Sequence, residues 1–242
     1  MTEKVMLIAG CSHTAGSEID GSADSEYNRN LSYGNTLAML MGYRPINIAV
    51  CGYTNGAIAR SVLEWFNKNY DPSIEVFVLV GWTESARIEA PFPFPTWHQE
   101  VNGKYCDWFS NSSTDFLQIN AHHKAYSERE KEIQTDYQKF VVRYPEYLEI
   151  VSANLLLQLQ YFFKYKKVQY LMCNTTYMFS PENEKYLKCY IENIDATSYY
   201  QEEFYKKYKN LGYINTQALY GHHGEEPHKL YAQELLNFIN KV

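Results

Sequence analysis

Four short apolar runs dominate this sequence. They are Val5-Met6-Leu7-Ile8-Ala9, Ile46-Asn47-Ile48-Ala49-Val50, Val76-Phe77-Val78-Leu79-Val80 and Val168-Gln169-Tyr170-Leu171-Met172. Each stops at small or polar residues: Gly10, Cys51-Gly52, Gly81 and Cys173-Asn174. Short runs without strict alternation suit strands buried on both faces, as in a parallel sheet. Helical patterns separate them. Asn35 to Met41 closes at Gly42, and Ile58, Val62, Trp65 and Phe66 repeat until Asp71-Pro72 breaks the pattern. From Pro145, the residues Leu148, Val151, Leu155, Leu159 and Phe162 step by three or four. Pro227 opens a last helix with Tyr231, Leu235 and Phe238 on one stripe. The βαβαβ order predicts an α/β fold, a three-layer α/β/α sandwich around a central parallel sheet with right-handed crossovers.

The chain has 242 residues, 45% hydrophobic and 21% charged, which is globular and long enough to need no disulfide or metal staple. With no linker or repeat in sight, residues 1–242 read as one domain, and the segment from about 85 to 145 as an elaboration on the sheet. Ala90 to Ser113 sets Pro91, Pro93 and Pro95 among aromatic residues. It reads as an irregular excursion, either a substrate-facing lid or a packed surface loop. Phe116 to Arg143 reads as helical in pieces, with Glu128 to Glu132 a solvated helix face. Pro181 to about Lys209 reads likewise, and a short strand or turn is expected near Tyr213-Ile214-Asn215.

The net charge of −6 argues against a nucleic-acid binder. No apolar run is long enough to span a membrane, and Met1-Thr2-Glu3-Lys4 leads straight into a strand rather than a signal peptide. Five cysteines without a CxxC pair read as free thiols. The expectation is a cytoplasmic protein. Its 23 tyrosines suit contact with sugars or reflect compositional habit.

Ligands of open parallel sheets bind beyond the carboxyl ends of the strands. Ser12 follows the first strand in a turn of small residues, where a hydroxyl can act as nucleophile if a base takes its proton. It can equally be a turn residue. His228, in the first turn of the last helix, is the best base on spacing. Glu225 three residues earlier would orient it, with Glu226 as competitor. The same pattern also fits helix-entry carboxylates beside a half-buried histidine. Arg87 can hold a substrate carboxylate or phosphate, or pair with Glu84. Asn55 can offer an amide to the pocket, or cap the next helix.

Taken in order, these pieces resemble the SGNH/GDSL hydrolase family. Gly10-Cys11-Ser12-His13-Thr14 looks like its Gly-Asp-Ser block, and Asn47-Ile48-Ala49-Val50-Cys51-Gly52 like its glycine block. Gly81-Trp82-Thr83-Glu84 stands where the family has Gly-x-Asn-Asp, and Glu225-Glu226-Pro227-His228 is similar to its closing Asp-x-x-His. The resemblance spans residues 4 to 242 and implies a flavodoxin-like α/β fold. It implies a serine esterase or deacylase acting on a small-molecule or carbohydrate ester, an O-acyl sugar among them. The implied catalytic residues are Ser12, His228 and Glu225, with Ser12, Gly52 and Thr83 lining an oxyanion hole. His13, Asn55, Trp82, Glu84 and Arg87 would face substrate. Cys11 replaces the family aspartate, Thr83 the asparagine and Glu225 the triad aspartate. The alternative is a non-catalytic protein of this fold that binds a glycan or protein partner. Phosphodiester or transferase chemistry at Arg87, or an assembly role, are further rivals. No nucleotide motif follows any strand, so no cofactor is expected. Cys11, His13, Cys51, Cys173 and the His222-His223 pair match no standard zinc spacing, so no metal is expected either.

Overall fold

The computed structural model describes residues 3–20, 25–91, 116–120, 128–180, 183–213, 215–218 and 221–241. The strands are β1 (Lys4–Gly10), β2 (Arg44–Asn47), β3 (Glu75–Trp82), β4 (Arg87–Pro91), β5 (Phe116–Asn120), β6 (Gln169–Asn174) and β7 (Tyr199–Tyr200). The central sheet runs β2-β1-β3-β6-β7, and every pairing in it is parallel. The order reverses between β1 and β3, the switch point where doubly wound sheets open a crevice. There Gly10 lies opposite Gly81, so the two strands end side by side.

The helices are α1 (Ser12–Ala15), α2 (Glu26–Leu31), α3 (Tyr33–Leu40), α4 (Asn55–Asn69), α5 (Glu128–Arg143), α6 (Pro145–Lys166), α7 (Glu184–Ile191), α8 (Phe204–Asn210) and α9 (Glu225–Ile239). Val5, Leu7 and Ala9 face one core with Ile58, Val62 and Phe66 of α4 and Leu156, Leu159 and Phe163 of α6. Met6 and Ile8 face the other, with Leu37 of α3, Phe204 and Tyr208 of α8, and Tyr231 and Leu235 of α9. Alternate residues of one strand thus feed two apolar layers, which explains the uninterrupted run. This is the expected three-layer α/β sandwich.

Three expectations differ from the fold. Phe116 to Asn120 is a strand rather than the start of a helical stretch. It forms β5, which pairs antiparallel with β4 in a separate two-stranded sheet, Arg87 opposite Asn120. Pairing between segments so far apart leaves no local period to read. The second strand ends at Asn47, although Ile48 and Val50 still donate to Ile8 and Gly10 carbonyls at 2.8 and 3.1 Å. Within Pro181 to Lys209, a strand of two residues, β7, stands between α7 and α8. Tyr213 and Asn215 belong to no strand. Residues 92–113 of the Pro-aromatic segment, Cys106 and Ile214 lie outside the described residues. Cys11, Cys51, Cys173 and Cys189 are free thiols. Among the described residues, no helix is long and apolar enough to cross a membrane.

Candidate active site

Ser12 begins α1 directly after β1, buried at 4% exposure. Cys11 precedes it in extended backbone, with its thiol 3.3 Å from the Thr175 hydroxyl. Gly16 ends the turn with φ 76°, and Ser17 N–H donates to the Ser12 carbonyl at 2.9 Å. Thr14 Oγ1 and Tyr33 OH, 2.8 Å apart, cover the paired strand-end glycines. A Cβ on Gly81 would lie 2.3 Å from Thr14 Oγ1 and 2.4 Å from Tyr33 OH. The glycines that the motif reading singled out therefore make room for this cover.

His228 lies on α9 with 1% exposure, stacked on Tyr33 at 12° between the rings. Its Nδ1 accepts a hydrogen bond from the Tyr33 backbone N–H at 3.1 Å. An Nδ1 that accepts is unprotonated, so the neutral ring carries its proton on Nε2. A histidine base needs the opposite tautomer, with the Nε2 lone pair facing the hydroxyl. Burial also drives its pKa down to about 3, with His223 and His222 adding to the effect.

Glu225 does not reach His228. Its carboxylate lies 2.5 Å from Lys229 Nζ, one helical turn on. Glu226 is exposed, and both carboxylates stand in the first turn of α9, where they complement the helix dipole. In place of the expected His228–Glu225 pairing, Glu225 contacts Lys229 within its own helix and His228 contacts Tyr33 of α3.

Thr83 and Asn55 engage each other rather than a pocket. Thr83 N–H donates to Asn55 Oδ1 at 2.9 Å. Asn55 Nδ2 donates to the Thr83 carbonyl and to Ser152 Oγ, each at 3.0 Å. Thr83 Oγ1 lies 3.3 Å from Thr176 Oγ1. The cap of α4 is Thr54, which accepts from Ala57 N–H. Trp82 has no exposed surface and packs into the α4/α6 core, so it cannot face a substrate from there. Gly52 follows β2 with φ 83°. Among the described residues, the Ser12 and Gly52 N–H groups donate to no protein acceptor.

Arg87 donates from Nε to Glu84 Oε1 at 2.6 Å, and its side chain is 13% exposed. Burial opposes its charge, but Cys11, Glu84 and Cys51 around it favour it, and its pKa stays above the ordinary value. The guanidinium is thereby paired with Glu84 at the start of β4.

His13 is buried beside Tyr205 and His222, its ring centre 4.7 Å from that of His222. Burial holds its pKa well below the usual value, helped by His222, His223, Arg87 and His228. Its Nδ1 is buried without a hydrogen-bond partner among the described residues. His222 Nδ1 lies 2.6 Å from Glu18 Oε2, and the Glu18 side chain is 2% exposed. Glu18 has a left-handed backbone at φ 64°, and its carbonyl accepts from Asn215 Nδ2 at 2.8 Å. His223 sets each ring nitrogen 3.0 Å from a carbonyl, those of Tyr213 and Tyr205. Burial lowers its pKa, and the two carbonyls work against that. Among the described residues no cluster of three or more ligating groups can hold a metal ion.

The Glu18–His222 pair escaped the motif reading. On spacing, His222 enters only among candidate metal ligands, although it sits in the loop entering the last helix. Glu18 lies six residues after Ser12 in an unremarkable polar stretch.

No protein-family model and no curated protein sequence matches this chain. Solved structures do. A carbohydrate esterase is similar at 10% identity and TM-score 0.49, over 100% of this chain and 66% of its own. The psychrotrophic esterase EstA from a Pseudoalteromonas species is similar at 10% identity and TM-score 0.48, over 99% and 98%. A lipolytic protein of the G-D-S-L family from Veillonella parvula is similar at 13% identity and TM-score 0.45, over 98% of each chain. The architecture of this chain itself is an α/β sandwich around a five-stranded parallel sheet.

Proposed function

We propose that this chain is a serine hydrolase that cleaves esters, with Ser12 as nucleophile at the β1/β3 switch point. The observation that carries the reading is the placement of Ser12. It starts the turn directly after the central strand, and the ring of its neighbour His13 lies against that of His222. Ser12 Oγ would attack the acyl carbon while the C–O bond to the alcohol breaks. The proton leaving Ser12 passes through an imidazole to the departing alkoxide, and water then releases the acyl group by the same route. The Ser12 and Gly52 N–H groups, which have no acceptor among the described residues, are the donors for the oxyanion. Thr83 is not, since its buried hydroxyl lies 3.3 Å from Thr176 Oγ1 and its N–H is given to Asn55.

Arg87 narrows the substrate class. Only its Nε is used by Glu84 among the described residues, so the two Nη groups remain to bind an anion. The reading is therefore a small-molecule or carbohydrate ester carrying a carboxylate or phosphate. Turnover of a short p-nitrophenyl ester and labelling by a fluorophosphonate test it. Both should occur in the wild type and vanish in Ser12→Ala, with the circular dichroism spectrum unchanged. A well-folded wild type that neither turns over nor labels overturns the reading.

That outcome would leave a second reading, a non-catalytic protein of this fold that binds a glycan or a protein. The engagement of His228 by Tyr33 is the observation in its favour.

A further inference from the structure

We propose that His222, held by Glu18, is the imidazole that takes the Ser12 proton, the role that motif spacing assigns to His228 and Glu225. The inference rests on the Ser12 reading and deepens it. A general base of this kind has one ring nitrogen fixed by a carboxylate and its other lone pair free for the nucleophile. His222 meets the first condition. Its Nδ1 is 2.6 Å from Glu18 Oε2, so an Nδ1–H donates to the carboxylate and the neutral ring carries its lone pair on Nε2.

The other three histidines of the cluster fail this condition. His228 has Nδ1 occupied by the Tyr33 N–H. His223 has both nitrogens against backbone carbonyls. His13 has no carboxylate partner, and its buried Nδ1 stands alone among the described residues. Elsewhere in the described chain the histidine–carboxylate contact does not recur.

The pair is also in the right place. Glu18 belongs to the same buried stretch as Ser12, tied to it by the Ser17 N–H to Ser12 carbonyl bond at 2.9 Å. The His222 ring touches His13, the residue next to the nucleophile, at 4.7 Å between centres. Glu18 holds this position in a left-handed backbone at φ 64°, which residues other than glycine rarely adopt. Asn215 Nδ2 holds the Glu18 carbonyl and couples the turn to the chain that leads to His222.

In the step itself the Ser12 O–H bond breaks as the Oγ–acyl bond forms. The proton goes to His222 Nε2, and the resulting imidazolium is stabilised by the Glu18 carboxylate. That proton then passes to the departing alkoxide as the ester C–O bond breaks. Glu18 is a positioning residue, since it acts through His222.

The test compares fluorophosphonate labelling and ester turnover in wild type, His222→Ala, Glu18→Gln, Glu18→Asp and His228→Gln, each corrected to its folded fraction. His222→Ala should label about 10²–10⁴-fold more slowly. Glu18→Gln should also slow labelling, and it should lower kcat with KM for the ester unchanged. Removing a merely structural carboxylate would lower stability without that split between kcat and KM. Glu18→Asp should recover part of the rate. If His222→Ala labels at the wild-type rate, or only His228→Gln stops labelling, the inference is overturned while the Ser12 reading survives. If the wild type neither labels nor turns over, both fall together.

Discussion

Tyr33 backbone N–H donates to His228 Nδ1 across 3.1 Å, so a residue of α9 completes the N-terminus of α3. The first N–H groups of a helix have no partner within it. Here a ring from 195 positions later supplies one. The bond fixes the tautomer of His228 and makes it a tie between two helices.

This predicts a stability role. His228→Ala should lower unfolding free energy by about 2–4 kcal/mol, through the lost bond and the cavity under Tyr33 and Phe204. Urea denaturation measures it. A shift below about 0.5 kcal/mol would show that the contact contributes little.

Stability should also fall in mild acid. The His228 pKa is depressed to about 3 from an unfolded value of 6.5. Between those values the unfolded chain binds a proton that the folded chain refuses, so its contribution is full above pH 6.5 and drains away as pH falls toward 3. His13 and His223 are shifted in the same direction. Asp195 and Glu202, whose pKa values are lowered by their lysine partners or nearby hydrogen bonds, add their own losses only in stronger acid. The urea midpoint should therefore drop between about pH 6.5 and pH 5, where carboxylates stay ionised. His228→Gln should flatten that drop.

Gly81→Ala should be severe. Its new methyl group would meet two oxygens at 2.3 and 2.4 Å, a clash expected to cost about 3 kcal/mol or more. Gly42→Ala provides the contrast. Nothing lies within 4 Å of its added Cβ, so only the positive φ of 75° opposes it, at about 1–2 kcal/mol. Thermal unfolding of the two variants should separate them, and equal shifts would contradict the packing described.

Asn55 and Thr83 should divide between fold and chemistry in an unexpected way. Asn55→Ala strands a buried N–H, a carbonyl and a hydroxyl, and should destabilise by about 3 kcal/mol. Thr83→Val removes one hydroxyl contact at 3.3 Å and should cost about 1 kcal/mol. Its effect on ester turnover should stay within a few-fold. A loss near the 10²–10³-fold typical of an oxyanion donor would restore Thr83 to that role.

Arg87→Met should erase any preference for an anionic acyl group. The ratio of kcat/KM for a p-nitrophenyl succinate monoester to that for the acetate should fall about tenfold, matching the loss of one charge-assisted contact. An unchanged ratio would place the anion elsewhere.

The sheet was legible because burial on both faces leaves a direct mark. A strand such as β1 must be apolar at every position when Val5, Leu7 and Ala9 feed one layer and Met6 and Ile8 the other. Ser12 was legible for a local reason too, as the first polar side chain after that strand. The partners of Ser12 were not. Glu225 and His228 have the right spacing on a helix, but Lys229 one turn along takes the carboxylate and the α3 terminus takes the ring. Conversely, Glu18 reaches His222 only because its backbone turns left-handed and the chain returns over 204 positions. Neither event is encoded by residue type. The β4–β5 pair was hidden for a similar reason, since its register joins segments with no shared period.

The flanks of the sheet carry a last consequence. On one side stands β2, which holds Pro45 and so lacks an amide hydrogen in mid-strand. On the other stands β7, only two residues long. Among the described residues, neither margin offers a continuous row of free donors and acceptors for another polypeptide to zip onto, so the five-stranded layer is a poor template for fibril growth or strand exchange even when the chain is crowded.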